Sequence, residues 1–178
     1  MSLVEGCQAD EAWAWRRLVD AWASAVYRWC VLLGLSSRDA EDAVQDVLAT
    51  AAARIHTCSC DEVLGSWLYQ IARRHAANRR RLAWCKRVFF LEDESTVPSL
   101  AAQNIDDDLE VRAVLERLPM RHVEVLVLMD IEGFTRREAA QILGLAEPAV
   151  ASRLRRAREA FRAAYRPANG IAELESGA

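Results

Sequence analysis

The sequence predicts an all-α fold, two small helical domains joined by an acidic linker. Three features of the chain point there. Of its 178 residues 52% are hydrophobic and only 7 are glycine, while the helix formers alanine and arginine are abundant, so helix is favoured over sheet. Apolar side chains recur at intervals of three and four along most segments. The pattern then stops over residues 88–108, which hold 6 Asp or Glu and no Lys or Arg. The flanking segments are weakly basic, with 12 Lys or Arg against 10 Asp or Glu in 1–87 and 11 against 10 in 109–178. The expected division is therefore a domain over 1–87, a linker over 88–108 and a second domain over 109–178. A formal net charge of -3 argues against a uniformly basic coat and turns attention to where the charges sit. No apolar run is long enough to span a bilayer and no signal peptide opens the chain. The expectation is a cytoplasmic protein without membrane insertion, its 5 cysteines reduced.

From about Asp10 to Leu33 the chain reads as one amphipathic helix, with Trp15, Leu18, Val19, Trp22, Val26, Trp29 and Leu33 at helical spacing as a core stripe. Gly34 ends it. Ser36, Ser37 and Asp39 supply N-cap chemistry for the next helix, which buries Ala43, Val44, Val47, Leu48, Ala51 and Ile55. Its other side carries Glu41, Asp42, Gln45 and Asp46. Glu41 and Gln45 are four apart, as are Asp42 and Asp46, so the four make one acidic patch. Such a patch is either a docking surface or a solvated face.

The stretch from His56 to Asp61 reads as a loop. His56, Cys58 and Cys60 have the chemistry of metal ligands, but their spacing is unusual for zinc and no second ligand pair is evident. The expectation is a surface loop, with no metal and no cofactor. Trp67, Leu68, Ile71 and Ala72 open another helix. Its polar side bears Arg73, Arg74, His75, Asn78, Arg79, Arg80 and Arg81, followed by Lys86 and Arg87, the densest positive run in the chain. With Trp67, Tyr69 and Trp84 expected to supply aromatic surface, this stripe suits a phosphate backbone and unstacked bases; the plainer alternative is a solvated helix end.

Phe90 to Asp108, with Glu92, Asp93, Glu94, Pro98, Asp106 and Asp107, reads as an extended linker. Helical spacing returns with Val111, Val114, Leu115 and Leu118 up to Pro119, then with Val123, Leu126, Val127 and Met129 between Arg121 and Asp130. The tail after Pro167 is small and polar and is expected to fray.

Phe134 to Arg158 reads as a helix-turn-helix. Thr135 and Glu138 are spaced for a capping box, Ala139, Ile142 and Leu143 for one buried face, and Gly144 for a left-handed C-cap. Pro148 then suits a first helical turn. The second helix repeats Val150, Leu154, Ala157 and Phe161 and shows Ser152, Arg153, Arg155, Arg156 and Arg158 elsewhere. An arginine-faced helix after a tight turn fits a major groove; an ordinary helical hairpin with a solvated face is the alternative. No His, Cys or Ser sits in a recognisable catalytic constellation, so an enzyme is not expected.

Taken in order, these residues resemble the extracytoplasmic-function group of bacterial sigma factors in the sigma-70 family. Asp39-Ala40-Glu41-Asp42-Ala43-Val44-Gln45-Asp46 looks like the Asp-Ala-Glu-Asp-x-x-Gln-Glu segment of region 2.2. Trp67-Leu68-Tyr69-Gln70-Ile71-Ala72-Arg73 looks like the Trp-Leu-Tyr-x-Ile-Ala-Arg segment of regions 2.3 and 2.4. Leu115-Glu116-Arg117-Leu118-Pro119 and Phe134 to Glu159 are similar to region 4. The resemblance covers nearly the whole chain.

It implies promoter-specific initiation as a subunit of RNA polymerase, under control of an anti-sigma factor, without enzymatic chemistry. Asp39, Glu41, Asp42, Gln45 and Asp46 would dock on the clamp helices of the beta-prime subunit, the beta subunit completing the core partner. Arg73, Arg74, Asn78, Arg79, Arg80 and Arg81 would contact the minus-ten element of promoter DNA, and the loop Cys58 to Gly65 would take a flipped base. Thr135, Arg136, Ser152, Arg153, Arg155 and Arg156 would serve the minus-thirty-five element, Arg153 and Arg155 reading bases and Ser152 and Arg156 phosphates. The acidic linker would thread towards the active-site cleft and the RNA exit path. Arg74 in place of the usual Asn, Asp46 in place of Glu, and Ala149 and Ala151 in place of Thr and Lys separate the chain from the common pattern. So does the loop Thr57 to Gly65, which lacks the usual Phe-rich sequence, so the promoter sequence does not transfer. The alternatives are a sigma-like decoy that titrates an anti-sigma factor without binding DNA, and a stand-alone repressor, which leaves the Asp39–Asp46 and Trp67–Arg81 segments without a role.

Overall fold

The first anchor of the fold is a short helix the sequence pattern conceals. α1 (Leu3–Gln8) is six residues long, too short for periodicity to reveal. Ser2 and Glu5 close a capping box at its start. The Asp61 carboxylate then accepts from the amides of Leu3 and Val4 at 2.9 and 2.7 Å, and the Gln8 side chain donates to the carbonyls of Ile55 and Cys58. The helix expected over Asp10 to Leu33 is the single helix α2 (Ala12–Leu32), and α1 precedes it. Asp10 takes a left-handed conformation at φ 57 between them, and its carboxylate accepts from Trp15 Nε1 at 3.0 Å, before α2 (Ala12–Leu32). The computed structural model describes residues 1–90 and 108–165, and side chains over 1–84 and 111–165. The stretch 91–107 and the tail after Pro167 lie outside the described residues.

α2, α3 (Ser37–Arg54) and α4 (Leu64–Phe90) pack on one another. Gly34, at φ 88, turns the chain between α2 and α3, a conformation that favours a residue without Cβ. Ser36 caps α3 through a hydroxyl that accepts from the Asp39 amide at 3.1 Å. Two single-turn 3-10 helices, Ile55–Thr57 and Asp61–Val63, occupy the expected loop before α4. Gly65 lies in the first turn of α4, where a Cβ would come within 2.7 Å of Trp22 Cη2, so the glycine sets how closely α4 approaches α2. The core stripe of α2 is Ala14, Leu18, Val26, Trp29 and Cys30. Val19, expected in that stripe, is 41% exposed; the 3.6-residue period carries it round to the solvent side.

The second half comprises α5 (Asp108–Arg117), α6 (Met120–Leu126), α7 (Arg136–Leu143) and α8 (Glu147–Ala164). α6 widens into a π-helical turn, Val127–Ile131. That turn ends on two carboxylates with different partners, since Asp130 pairs with Arg158 of α8 and Glu132 with Arg28 of α2. α4 runs to Phe90 and α5 begins at Asp108, so both ends of the acidic stretch are helical.

The two halves share one core. Tyr69 of α4 is fully buried, its ring edge-on to Trp29 at 5.2 Å between centroids and to Phe134 at 6.0 Å. Tyr69 was expected to offer aromatic surface to DNA; burial instead makes it a hinge-pin between halves and pushes its hydroxyl pKa upward. Two bidentate arginine–carboxylate pairs flank it, Arg73–Glu124 and Arg28–Glu132. Glu124 is the buried charged residue among the described residues, and Arg73 supplies its compensation.

Candidate nucleic-acid interface

The helix-turn-helix forms as its residues dictate. Thr135 Oγ1 accepts from the Glu138 amide, while Glu138 Oε2 accepts from the Thr135 amide at 2.8 Å. The Thr135 hydroxyl is the N-cap of α7, as its spacing to Glu138 predicts. Gly144 is the left-handed C-cap at φ 66, ψ 40. α8 starts at Glu147 with Pro148 in its first turn, and it buries Val150, Leu154 and Ala157. Arg136 is exposed at the start of α7, and Ser152 is half-buried on α8.

The arginines of α8 divide into two sets. Arg155 pairs with Glu159 one turn on at 3.0 Å, in an exposed geometry worth little. Arg158 is held by both oxygens of Asp130. Arg153 and Arg156 have no hydrogen bond or ion pair among the described residues and lie near α6, where Arg121 and His122 stand beside them. Neither α6 residue was singled out in the sequence. An Arg-His pair between two core helices carries no signal until α6 packs on α8.

The basic side of α4 is similarly sorted. Arg79 donates to Asp46 at 2.7 Å and lies 3.8 Å from Asp42, and these carboxylates raise its pKa. Arg80 reaches under α2 to the Leu33 carbonyl, half-buried enough that desolvation lowers its pKa. Arg73 is committed to Glu124. Arg81 donates to the Asn78 side chain at 3.0 Å. Arg74 remains exposed without an ion pair. Sequence spacing placed all six on one polar side, whereas three of them hold the structure together.

Beside Arg74 lies a surface pocket of about 330 Å3 lined by Arg54, His56, Thr57, Trp67, Gln70 and Ile71. Thr57 fixes the Trp67 ring by accepting from Nε1 at 3.1 Å. An indole wall, two arginines and a histidine suit a planar base with its phosphate. Arg54 was not expected here, because α3 and α4 meet only after folding. Trp84 and Leu82, further along α4, are exposed, as expected for Trp84.

Asp39, Glu41, Asp42, Gln45 and Asp46 are all exposed along α3. Asp39 accepts from Ser36 Oγ at 2.6 Å, so the patch is ordered at its start and partly neutralised by Arg79 further on. His56, Cys58 and Cys60 do not converge. Cys58 is buried with its thiol towards the Cys60 carbonyl, His56 is exposed, and among the described residues no three His, Cys, Asp or Glu side chains cluster as metal ligands. Burial raises the thiol pKa values of Cys7 and Cys58 and pushes that of Cys30 up to about 11, so these thiols stay protonated near neutral pH.

Two family models match in the order of these surfaces. Sigma-70 region 2 covers residues 18–85, with the α3 patch and most of α4, and sigma-70 region 4 covers residues 108–161, with the helix-turn-helix. The ECF RNA polymerase sigma factor SigM of Mycobacterium tuberculosis is 31% identical over 150 residues, spanning 84% of this chain and 76% of that protein. The chain belongs to the extracytoplasmic-function group of the sigma-70 family. SigL of the same organism is 30% identical over 173 residues, 91% of this chain and 94% of its own. Membership makes this chain a sigma factor that directs promoter-specific transcription initiation by RNA polymerase, a transcription regulator. Two solved sigma factors share the fold. One is RpoE of Bartonella quintana in complex with the anti-sigma factor NepR, at TM-score 0.71 and 23% identity over 86% of this chain and 98% of that one. The other is CnrH with the cytosolic domain of CnrY, at TM-score 0.67 and 24% identity over 90% and 93%. Among the described residues no helix is long and apolar enough to cross a membrane.

Proposed function

We propose that this sigma factor divides its work over three surfaces. The exposed α3 carboxylates with Gln45 bind the polymerase core at its beta-prime subunit. Arg74, Asn78 and Arg81 on α4, with the Trp67 pocket, bind the minus-ten element, and Arg54 and His56 join the pocket wall. Arg73, Arg79 and Arg80 reach DNA only by leaving Glu124, Asp46 and the Leu33 carbonyl. Arg136, Ser152, Arg153, Arg155 and Arg156 serve the minus-thirty-five element, with Arg153 and Arg155 at base edges, where a bidentate arginine–guanine contact discriminates by about 1–3 kcal/mol. Thr135 supports that surface as the cap of α7.

The observation that carries this reading is the Trp67 pocket, an aromatic and basic recess opening on the same helix as the unpaired Arg74. The chain works in the cytoplasm, where the polymerase is. An anti-sigma factor is its partner when initiation is withheld, as the complexes of the fold relatives suggest. Run-off transcription with core polymerase tests the reading. Trp67→Ala and Arg74→Ala are expected to lose open-complex formation while keeping core binding, and full activity in both variants would contradict the pocket assignment.

A further inference from the structure

His122 stands on α6 with its ring between two helices. Nδ1 is buried without a hydrogen-bond partner. Nε2 is neither among the buried atoms nor hydrogen-bonded within the described residues, so it faces the surface. Around it lie Arg121 on its own helix and Arg153 and Arg156 across on α8. None of these arginines has a carboxylate partner among the described residues, unlike Arg155 and Arg158 next to them. Burial first, and then these three positive charges, hold the His122 pKa below its ordinary value.

An imidazolium here would carry a proton on Nδ1, buried and without an acceptor, beside three guanidinium groups. Leaving a buried donor unpaired is costly even before the charge repulsion is counted. The neutral ring with its proton on Nε2 removes the buried donor and the fourth positive charge, leaving a lone pair at Nδ1 and pointing a donor outward. We infer that His122 donates an uncharged hydrogen bond from Nε2 to a backbone phosphate of promoter DNA, flanked by Arg121, Arg153 and Arg156. The inference rests on the placement of α8 in a major groove and extends the DNA contact from α8 onto α6. A neutral donor fits where a fourth cation would repel the other three. Its contact releases no counterion, so it adds affinity without adding salt dependence.

The test uses the full chain in two ways. A nitrogen-15 histidine spectrum near neutral pH, assigned by the signals that vanish in His122→Gln, is expected to show the neutral Nε2–H tautomer. An imidazolium or an Nδ1–H tautomer there overturns the inference. Holoenzyme is then titrated with a duplex that wild-type holoenzyme selects from a random promoter library. His122→Ala is expected to weaken binding about tenfold on every selected sequence, with the salt slope and the pH profile unchanged. His122→Gln, which keeps an outward N–H, is expected to remain within about twofold of wild type. Wild-type affinity in His122→Ala, equal losses in both variants, or affinity that falls as pH rises through the histidine range each overturns it. Failure of the wild type to select any duplex would overturn the sigma-factor reading itself and this inference with it.

Discussion

Arg73 Nε lies 2.7 Å from Glu124 Oε1, and this pair ties α4 of the first half to the core of the second. Glu124 has little access to water, so the guanidinium supplies the partner for its buried oxygens. Glu124→Gln should destabilise the chain by about 1–2 kcal/mol, less than a fully buried pair because Arg73 remains partly solvated. The urea midpoint measures this, and an unchanged midpoint would mean that the pair is replaceable by water.

Arg79 is neutralised by Asp46 and Asp42 across the α3–α4 interface. Arg74→Ala should lower the salt slope of holoenzyme–promoter binding by about 0.9, the value for one phosphate contact. Arg79→Ala should leave that slope unaltered. Equal slopes for the two variants would remove the distinction between a tied and a free arginine.

The α3 patch predicts an effect on association. Charge reversal at Asp42 and Asp46 should slow binding to core polymerase and weaken its dependence on salt, because exposed complementary charges act mainly on the encounter rate. Stopped-flow association at low salt reads this directly, and an unaffected rate in the double variant would return the patch to solvent.

Asp61 accepts two backbone N–H bonds from α1, and these bonds hold its carboxyl pKa below the ordinary value. The sign follows from that depression. The contribution is present above the unfolded carboxylate range and is lost as pH falls through the folded value. Asp61→Asn should therefore loosen α1 near neutral pH and flatten the acid limb of stability, as read by amide hydrogen exchange at Leu3 and Val4. Unchanged protection at both amides would separate α1 docking from this carboxylate.

Elements with long periodicity and local caps were legible in the chain. Thr135, Glu138 and Gly144 announced α7 because the capping box and the left-handed cap are set by residues three to nine apart. The α3 patch was legible for the same reason. What escaped depends on contacts distant in sequence. Six-residue α1 is held by Asp61, 57 residues away from Val4. Tyr69 looked like exposed aromatic surface until Phe134 closed over it. The polar side of α4 appeared uniform, yet Arg73, Arg79 and Arg80 find partners 51, 33 and 47 positions away. Helical spacing reports the face of a residue, not what lies opposite it.

Promoter selection by this chain as the sigma subunit is tested most directly at Arg153 on α8. The measurement is run-off transcription by core polymerase plus this chain on a random-promoter library, with wild type and Arg153→Ala compared side by side. Wild type is expected to enrich templates with two separated elements, and Arg153→Ala to relax preference at one or two positions of the upstream element alone. No enrichment over core polymerase by itself, or identical upstream preferences for both proteins, would contradict it.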